Sequence, residues 1–162
     1  MSLFSCQEKK TAEQYYEKGM KCMDEKNYQE AKENFNRCIE LDSTNRGAFI
    51  YRAHVNDEIG NYMEAVEDYT KVLSFPIIKK EHLPQVSPSR KNEVFQYRAL
   101  SRYKAKDYNG AISDCNKIIT EDSLNGDAYK IRSDSESKLG LIIDAKKDSI
   151  KAKENCAGCG RL

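Results

Sequence analysis

Arginine and aspartate recur at a fixed distance in this chain. Arg52 and Asp68, Arg98 and Asp114, and Arg132 and Asp148 each stand sixteen residues apart. A guanidinium keeps its proton and offers a planar fork to a carboxylate, so the pattern fits ion pairing rather than proton transfer. Two pairings satisfy the register: inside one unit (Arg52 with Asp68) or between successive units (Asp68 with Arg98). The same offset upstream reads Lys18 and Asn34, a change of both members together. Cys156-Ala-Gly-Cys159 supplies two thiols where zinc needs four ligands. Gly160 stands where haem attachment needs histidine, and no β-α-β pattern supports thioredoxin-like exchange. That CxxC is the basis of an alternative function, a metal- or redox-linked protein. The two histidines, His54 and His82, belong to no His-x-x-x-His motif. No glycine-rich phosphate loop, nucleophile elbow or pair of catalytic carboxylates stands out, so no enzyme, cofactor or metal site is expected.

Composition narrows the class. The 162 residues suit one domain, and a net charge of +1 excludes the one-sided basic excess of a nucleic-acid binder. No apolar run approaches the roughly 18 residues of a membrane span. Six cysteines do not make a disulfide framework, because Cys22, Cys38 and Cys115 fall inside helical patterns and read as small core hydrophobes.

The arginines and aspartates must be held by elements that repeat as they do. Ala31, Ala65, Ala111 and Ala145 are spaced by 34, 46 and 34 residues, so the middle interval carries a 12-residue insertion. Upstream of each alanine stand an aromatic (Tyr15, Phe49, Phe95, Tyr129) and then a small residue (Gly19, Ala53, Ala99, Ser133). Three before it comes Tyr28, Tyr62, Tyr108 or Ile142. Four and seven after it come Phe35 and Cys38, Tyr69 and Val72, Cys115 and Ile118, Ser149 and Ala152. These spacings put the small residue and the alanine on facing helices, with the larger residues on the alanine's own face. The register predicts helices near 12–25, 28–41, 46–59, 62–75, 90–105, 108–121, 126–139 and 142–155. Ser43-Thr44-Asn45 and Ser123-Leu124-Asn125 supply helix-capping residue types before repeats two and four. All three prolines lie within 76–88, which excludes continuous helix there.

The stretches Tyr28-Gln29-Glu30-Ala31, Tyr62-Met63-Glu64-Ala65 and Tyr108-Asn109-Gly110-Ala111 resemble the second-helix opening of the tetratricopeptide repeat. Ile39-Glu40-Leu41-Asp42 and Ile119-Thr120-Glu121-Asp122 resemble its ending. The resemblance implies an all-α, right-handed solenoid of four antiparallel helix pairs. Repeats would occupy 12–45, 46–79, 92–125 and 126–155, with an insertion at about 76–91, an N-terminal tether at 1–11 and a C-terminal tail at 156–162. Cys22, Asn56, Arg102 and Glu136 stand where the family usually keeps a tyrosine. The last helix reads as a polar cap.

In such stacks the first helices of the repeats line a concave face. Here that face takes Glu13, Tyr16, Met20, Met23 and Asp24; Gly47, Ile50, His54, Asp57 and Glu58; Glu93, Gln96, Leu100, Tyr103 and Lys104; and Asp127, Lys130, Asp134, Ser137 and Lys138, with Tyr51 and Tyr97 beside the middle two sets. The apolar members imply a non-enzymatic interaction scaffold that binds another protein or a peptide in the groove of repeats one to three. Tyr16, Met20, Glu93 and Tyr97 occupy the positions where chaperone-tail binders use lysine, asparagine and arginine, so that mode of carboxylate recognition is not expected.

Leu3-Phe4-Ser5-Cys6 resembles a bacterial lipoprotein cleavage box, with Cys6 the candidate lipidation residue and Gln7-Glu8-Lys9-Lys10 a polar tether. The charged and apolar regions of a signal peptide are not within these residues, so this reading needs residues upstream of Met1. It favours the bacterial cell envelope over the cytoplasm, with membrane attachment only through Cys6.

Overall fold

In the computed structural model the described residues are 10–76 and 88–155, with side chains from 91 onward in the second stretch. They form eight α-helices: α1 (Ala12–Asp24), α2 (Tyr28–Leu41), α3 (Arg46–Glu58), α4 (Tyr62–Ser74), α5 (Pro88–Lys104), α6 (Tyr108–Glu121), α7 (Gly126–Lys138) and α8 (Ile142–Asn155). Cys6, His82, most of the insertion and the Cys156–Cys159 motif lie outside the described residues. The helices alternate as first and second members of four antiparallel pairs, and each second helix packs on the first helix of the next pair.

Local signals explain the boundaries. Thr11 and Gln14 form a reciprocal capping box at α1, and Asn45 and Asn125 accept from the amides of Ala48 and Ala128 at 3.0 and 2.9 Å. These bonds satisfy backbone donors that a helix start leaves open. Helix α5 departs from expectation by beginning at Pro88, inside the insertion. Proline at a first helical position carries a pre-set φ and loses no needed amide bond. Each turn inside a pair passes through a left-handed residue: Lys26, Gly60, Lys106 and Gly140.

Three buried clusters run through the stack. Phe35, Cys22, Cys38 and Val55 form the first, Phe49, Ala53, Tyr69, Val72 and Val94 the second, and Phe95, Cys115, Ile118 and Ala128 the third. Each cluster borrows a residue from the next pair, as Val55, Val94 and Ala128 show. Ile39 packs against the first two clusters and Leu73 against the last two, so the core is continuous.

The last helix corrects the polar-cap reading. Ala145 and Asp148 are buried, but Ile143 is 72% and Ile150 57% exposed. Lys153 occupies the position that Ile39, Leu73 and Ile119 use to pack against a neighbour. The outer face is therefore a mixed one, isoleucines flanked by lysines.

Close approach of α1 and α2 depends on Gly19. A Cβ there would lie 2.7 Å from the ring of fully buried Phe35. Gly19→Ala gains about 1 kcal/mol of helix propensity but should lose about 1–3 kcal/mol by overpacking. Urea denaturation should therefore show net destabilisation; a more stable variant would mean that the helices can separate freely.

Candidate functional site

The arginine of each later pair holds three helices together. Arg52 on α3 donates from Nε to Asp68 on α4 at 2.9 Å and from Nη1 to Asn36 on α2 at 2.8 Å. Arg98 on α5 makes a bidentate pair with Asp114 on α6 at 2.8 and 2.7 Å and reaches back to Thr70 on α4 at 2.9 Å. Arg132 on α7 donates to Asp148 on α8 at 2.8 Å and to Asn116 on α6 at 2.6 Å. Of the two pairings left open by the sequence, the structure has the one inside each unit. The spare guanidinium nitrogen makes the link to the preceding unit. Lys18 instead pairs with Glu30 at 2.7 Å, and Asn34 turns to the Glu30 carbonyl at 2.7 Å.

The middle clamp is the deepest. Asp114 has a fully buried side chain and also receives Arg102 at 2.8 Å, while Lys117 approaches at 3.6 Å. Removing one partner from a buried ion pair strands the other and costs about 3–5 kcal/mol. Asp114→Ala strands two guanidinium groups, so its cost should exceed that of Asp68→Ala or Asp148→Ala. Equal losses in a urea series would refute the ranking.

These clamps set the first helices α1, α3 and α5 side by side, and their aromatic side chains meet. The Tyr16 ring contacts Tyr51 edge-on at 5.9 Å, and Tyr51 meets His54 at 6.1 Å. His54 meets Tyr97 edge-on at 4.7 Å, and Tyr97 stacks on buried Tyr69 at 6.0 Å. Beneath this row lies a polar network. Tyr69 donates its hydroxyl to Asp57 Oδ2 at 3.2 Å and lies 3.1 Å from His54 Nδ1. A phenol has one proton, so with Asp57 as its acceptor the Nδ1 proton sits on His54 and points to the Tyr69 oxygen. Ser101 on α5 donates to the same Asp57 oxygen at 2.8 Å. Asp57 Oδ1 is buried and has no partner among the described residues. Burial pushes the Asp57 carboxyl above its ordinary value despite these donors, and burial pushes His54 below its own. Burial and the Tyr51 hydroxyl raise Tyr16 to about 12.

The expected binding residues divide into two groups. Tyr16, Met20, Met23 and Tyr51 are partly buried against the first cluster, and Ile50 against the second. Much of the apolar stripe is therefore packing between units. Tyr103 rests against Tyr108 at 5.7 Å. Tyr97 and Leu100 remain open, 41% and 39% exposed. Sequence reasoning placed Asp57 on this face and Tyr69 in the core without joining them, and it overlooked Ser101. It also passed over Asn36, Thr70 and Asn116, although all three stand five residues after an anchor alanine.

A tetratricopeptide repeat family model matches residues 12–45, one full helix pair. That segment is a tetratricopeptide repeat. No curated protein matches the sequence. Among solved structures, this chain resembles MamA from Desulfovibrio magneticus, 14% identical with a TM-score of 0.74 over 90% of this chain and 75% of that one. It also resembles the second such domain of human RPAP3 in complex with the HSP70 peptide SGPTIEEVD, 22% identical with a TM-score of 0.61 over 77% and 94%. A third likeness is the first domain of RPAP3 bound to the HSP90 peptide SRMEEVD, 17% identical with a TM-score of 0.63 over 80% and 94%. Among the described residues no helix is long and apolar enough to cross a membrane, and no cluster of three or more His, Cys, Asp or Glu could hold a metal ion.

The partly buried imidazole gives a pH signature. As pH falls, the unfolded chain protonates His54 near 6.5 while the folded chain resists. Stability from this residue is present above that value and is lost below it. Thermal melts between about pH 7.5 and 5.5 should show wild type losing more stability than His54→Gln. Parallel losses would place the histidine outside the linkage.

Proposed function

We propose that this chain is a non-enzymatic scaffold that holds a segment of another protein along the face of α1, α3 and α5, within its first three repeats. One observation carries the reading: Tyr97 and Leu100 stand open on a face whose floor of aromatic rings is fixed by packing, by hydrogen bonds and by the arginine clamps. A rigid, partly aromatic surface loses little conformational freedom on binding, and aromatic side chains are favoured at protein interfaces. The two RPAP3 domains, of the same fold, bind peptides, and this supports a peptide or protein as the occupant. Tyr16, Met20, Met23, Ile50, Tyr51, His54 and Tyr103 then shape and stiffen the floor, while Tyr97 and Leu100 make the outward contacts.

Affinity capture followed by mass spectrometry tests this. Leu100→Ser changes an open side chain and should melt close to wild type, whereas Tyr97→Ala also removes ring contacts to His54 and Tyr69 and should melt somewhat lower while staying folded. A partner held on this face should be depleted about tenfold or more in the double variant, the loss expected when a buried contact worth at least 1.4 kcal/mol is removed. Undiminished capture of every wild-type partner would place the binding surface elsewhere.

A further inference from the structure

The outer face of α8 is built unlike that of the other second helices. Its inner side carries Ala145 and Asp148 into the stack, where Arg132 of α7 holds the aspartate. Its exposed side centres on Ile143 and Ile150, seven residues apart and so within about 20° of one another around the helix. Lys146 and Lys153 flank them on one side, Lys147 and Lys151 on the other, and all four are exposed. Asp144 and Glu154 engage Lys147 and Lys151 at 3.6 and 3.0 Å. Lys146 and Lys153 make no ion pair among the described residues.

The turn that leads into α8 extends this surface. Asn27, Asn61 and Asp107 stand before the other second helices, and Leu141 takes their place here. Leu139, Leu141, Ile142 and Ile143 are all exposed around Gly140, where an added Cβ would meet nothing within 4 Å. A contiguous apolar patch rimmed by charge marks a surface that something covers.

A further helix pair of the kind seen here does not fit it. Asn36, Thr70 and Asn116 accept from the arginine of the following pair, and Ile39, Leu73 and Ile119 pack against the core clusters. At these two positions α8 has Ile150 and Lys153, so an incoming arginine would meet an isoleucine and a lysine. A second copy fits no better. Antiparallel pairing of two α8 helices through Ile143 and Ile150 would set Lys146 and Lys147 against their counterparts, and like charges in contact oppose association. The outer side of α1 also carries lysines, Lys10, Lys18 and Lys21. Isoleucines between lysines instead match a surface that is apolar within and anionic without. Lysine stems lie along apolar surface while their ammonium groups reach the level of lipid phosphates.

We propose that the turn 139–143 and the outer face of α8 dock on an anionic lipid bilayer, the isoleucines entering the headgroup layer and the lysines pairing with its phosphates. Among the described residues no helix is long and apolar enough to cross a membrane, so the contact is interfacial. It uses no residue of the α1, α3 and α5 face and goes beyond the scaffold reading.

Sedimentation with two kinds of vesicle tests this, one of phosphatidylcholine and one an equimolar mixture with phosphatidylserine. The wild-type chain should bind the mixed vesicles at least about tenfold more tightly, and added salt should weaken that binding. Ile143→Ser with Ile150→Ser, and separately Lys146→Gln with Lys153→Gln, should each lower the affinity several-fold. All four side chains are exposed, so both variants should melt close to wild type. The sequence has no tryptophan, so Ile143→Trp supplies a single fluorophore whose emission should shift to the blue on the mixed vesicles. No binding to either vesicle, or equal binding to both, would overturn the proposal. So would binding that leaves the emission unshifted and survives the serine variant, which is adsorption by charge alone. Poly-glutamate bound as tightly as the mixed vesicles would assign the lysines to an acidic protein instead. A concentration-dependent dimer without vesicle binding, lost in the serine variant, would assign the face to a second copy and equally overturn the proposal.

Discussion

Everything in this molecule depends on an arginine that is shared among three helices. Its Nε and one terminal nitrogen hold the aspartate of its own pair, and its other nitrogen takes an oxygen from the preceding pair. A planar guanidinium can do both at once because its donors leave in fixed, divergent directions. Lysine, a point charge with rotatable donors, could not fix the two angles together. At α1, the first of the described helices, the chain carries Lys18, which pairs with Glu30 at a half-exposed position.

The clamps hold the first helices close enough for side chains to work across them. His54, Tyr69, Asp57 and Ser101 come from three helices, yet they make one network of directed bonds. Such a network is more specific than apolar contact because a displacement of one helix breaks bonds and not merely packing. Polar substitutions elsewhere are less well satisfied. Asn56, Arg102 and Glu136 occupy one equivalent position, and each leaves a buried polar atom without a hydrogen-bond partner among the described residues. Glu136 approaches Arg132 at 4.0 Å, whereas Arg102 reaches Asp114 at 2.8 Å, and this makes Asp114 the most heavily engaged carboxylate among the described residues.

Periodicity made the architecture legible before any coordinates. Small residues, anchor alanines and aromatics at constant offsets determine the helix pairs, because backbone approach and face alternation leave few other solutions. The arginine–aspartate register was equally visible, but its pairing was not. Positions one unit apart are equivalent in sequence and become distinct only once the distance between helices is known. The binding face was legible in part. A residue such as Tyr16 points both outward and toward the neighbouring helix, so its position in the repeat does not settle whether it is floor or contact. The Asp57 network was hidden for another reason: it depends on side-chain conformations meeting across three helices, which spacing does not encode.

The reach from Arg98 to Thr70 spans 28 residues, whereas Arg52 and Arg132 reach theirs across 16. The spatial relation is the same in all three, and the difference equals the added length between α4 and α5. Leu73 still joins the second and third clusters across that junction. Chain length has thus been uncoupled from stacking at one place and at one place only among the described pairs. The solenoid therefore contains a natural port, where new sequence can be carried without disturbing the register of the pairs on either side.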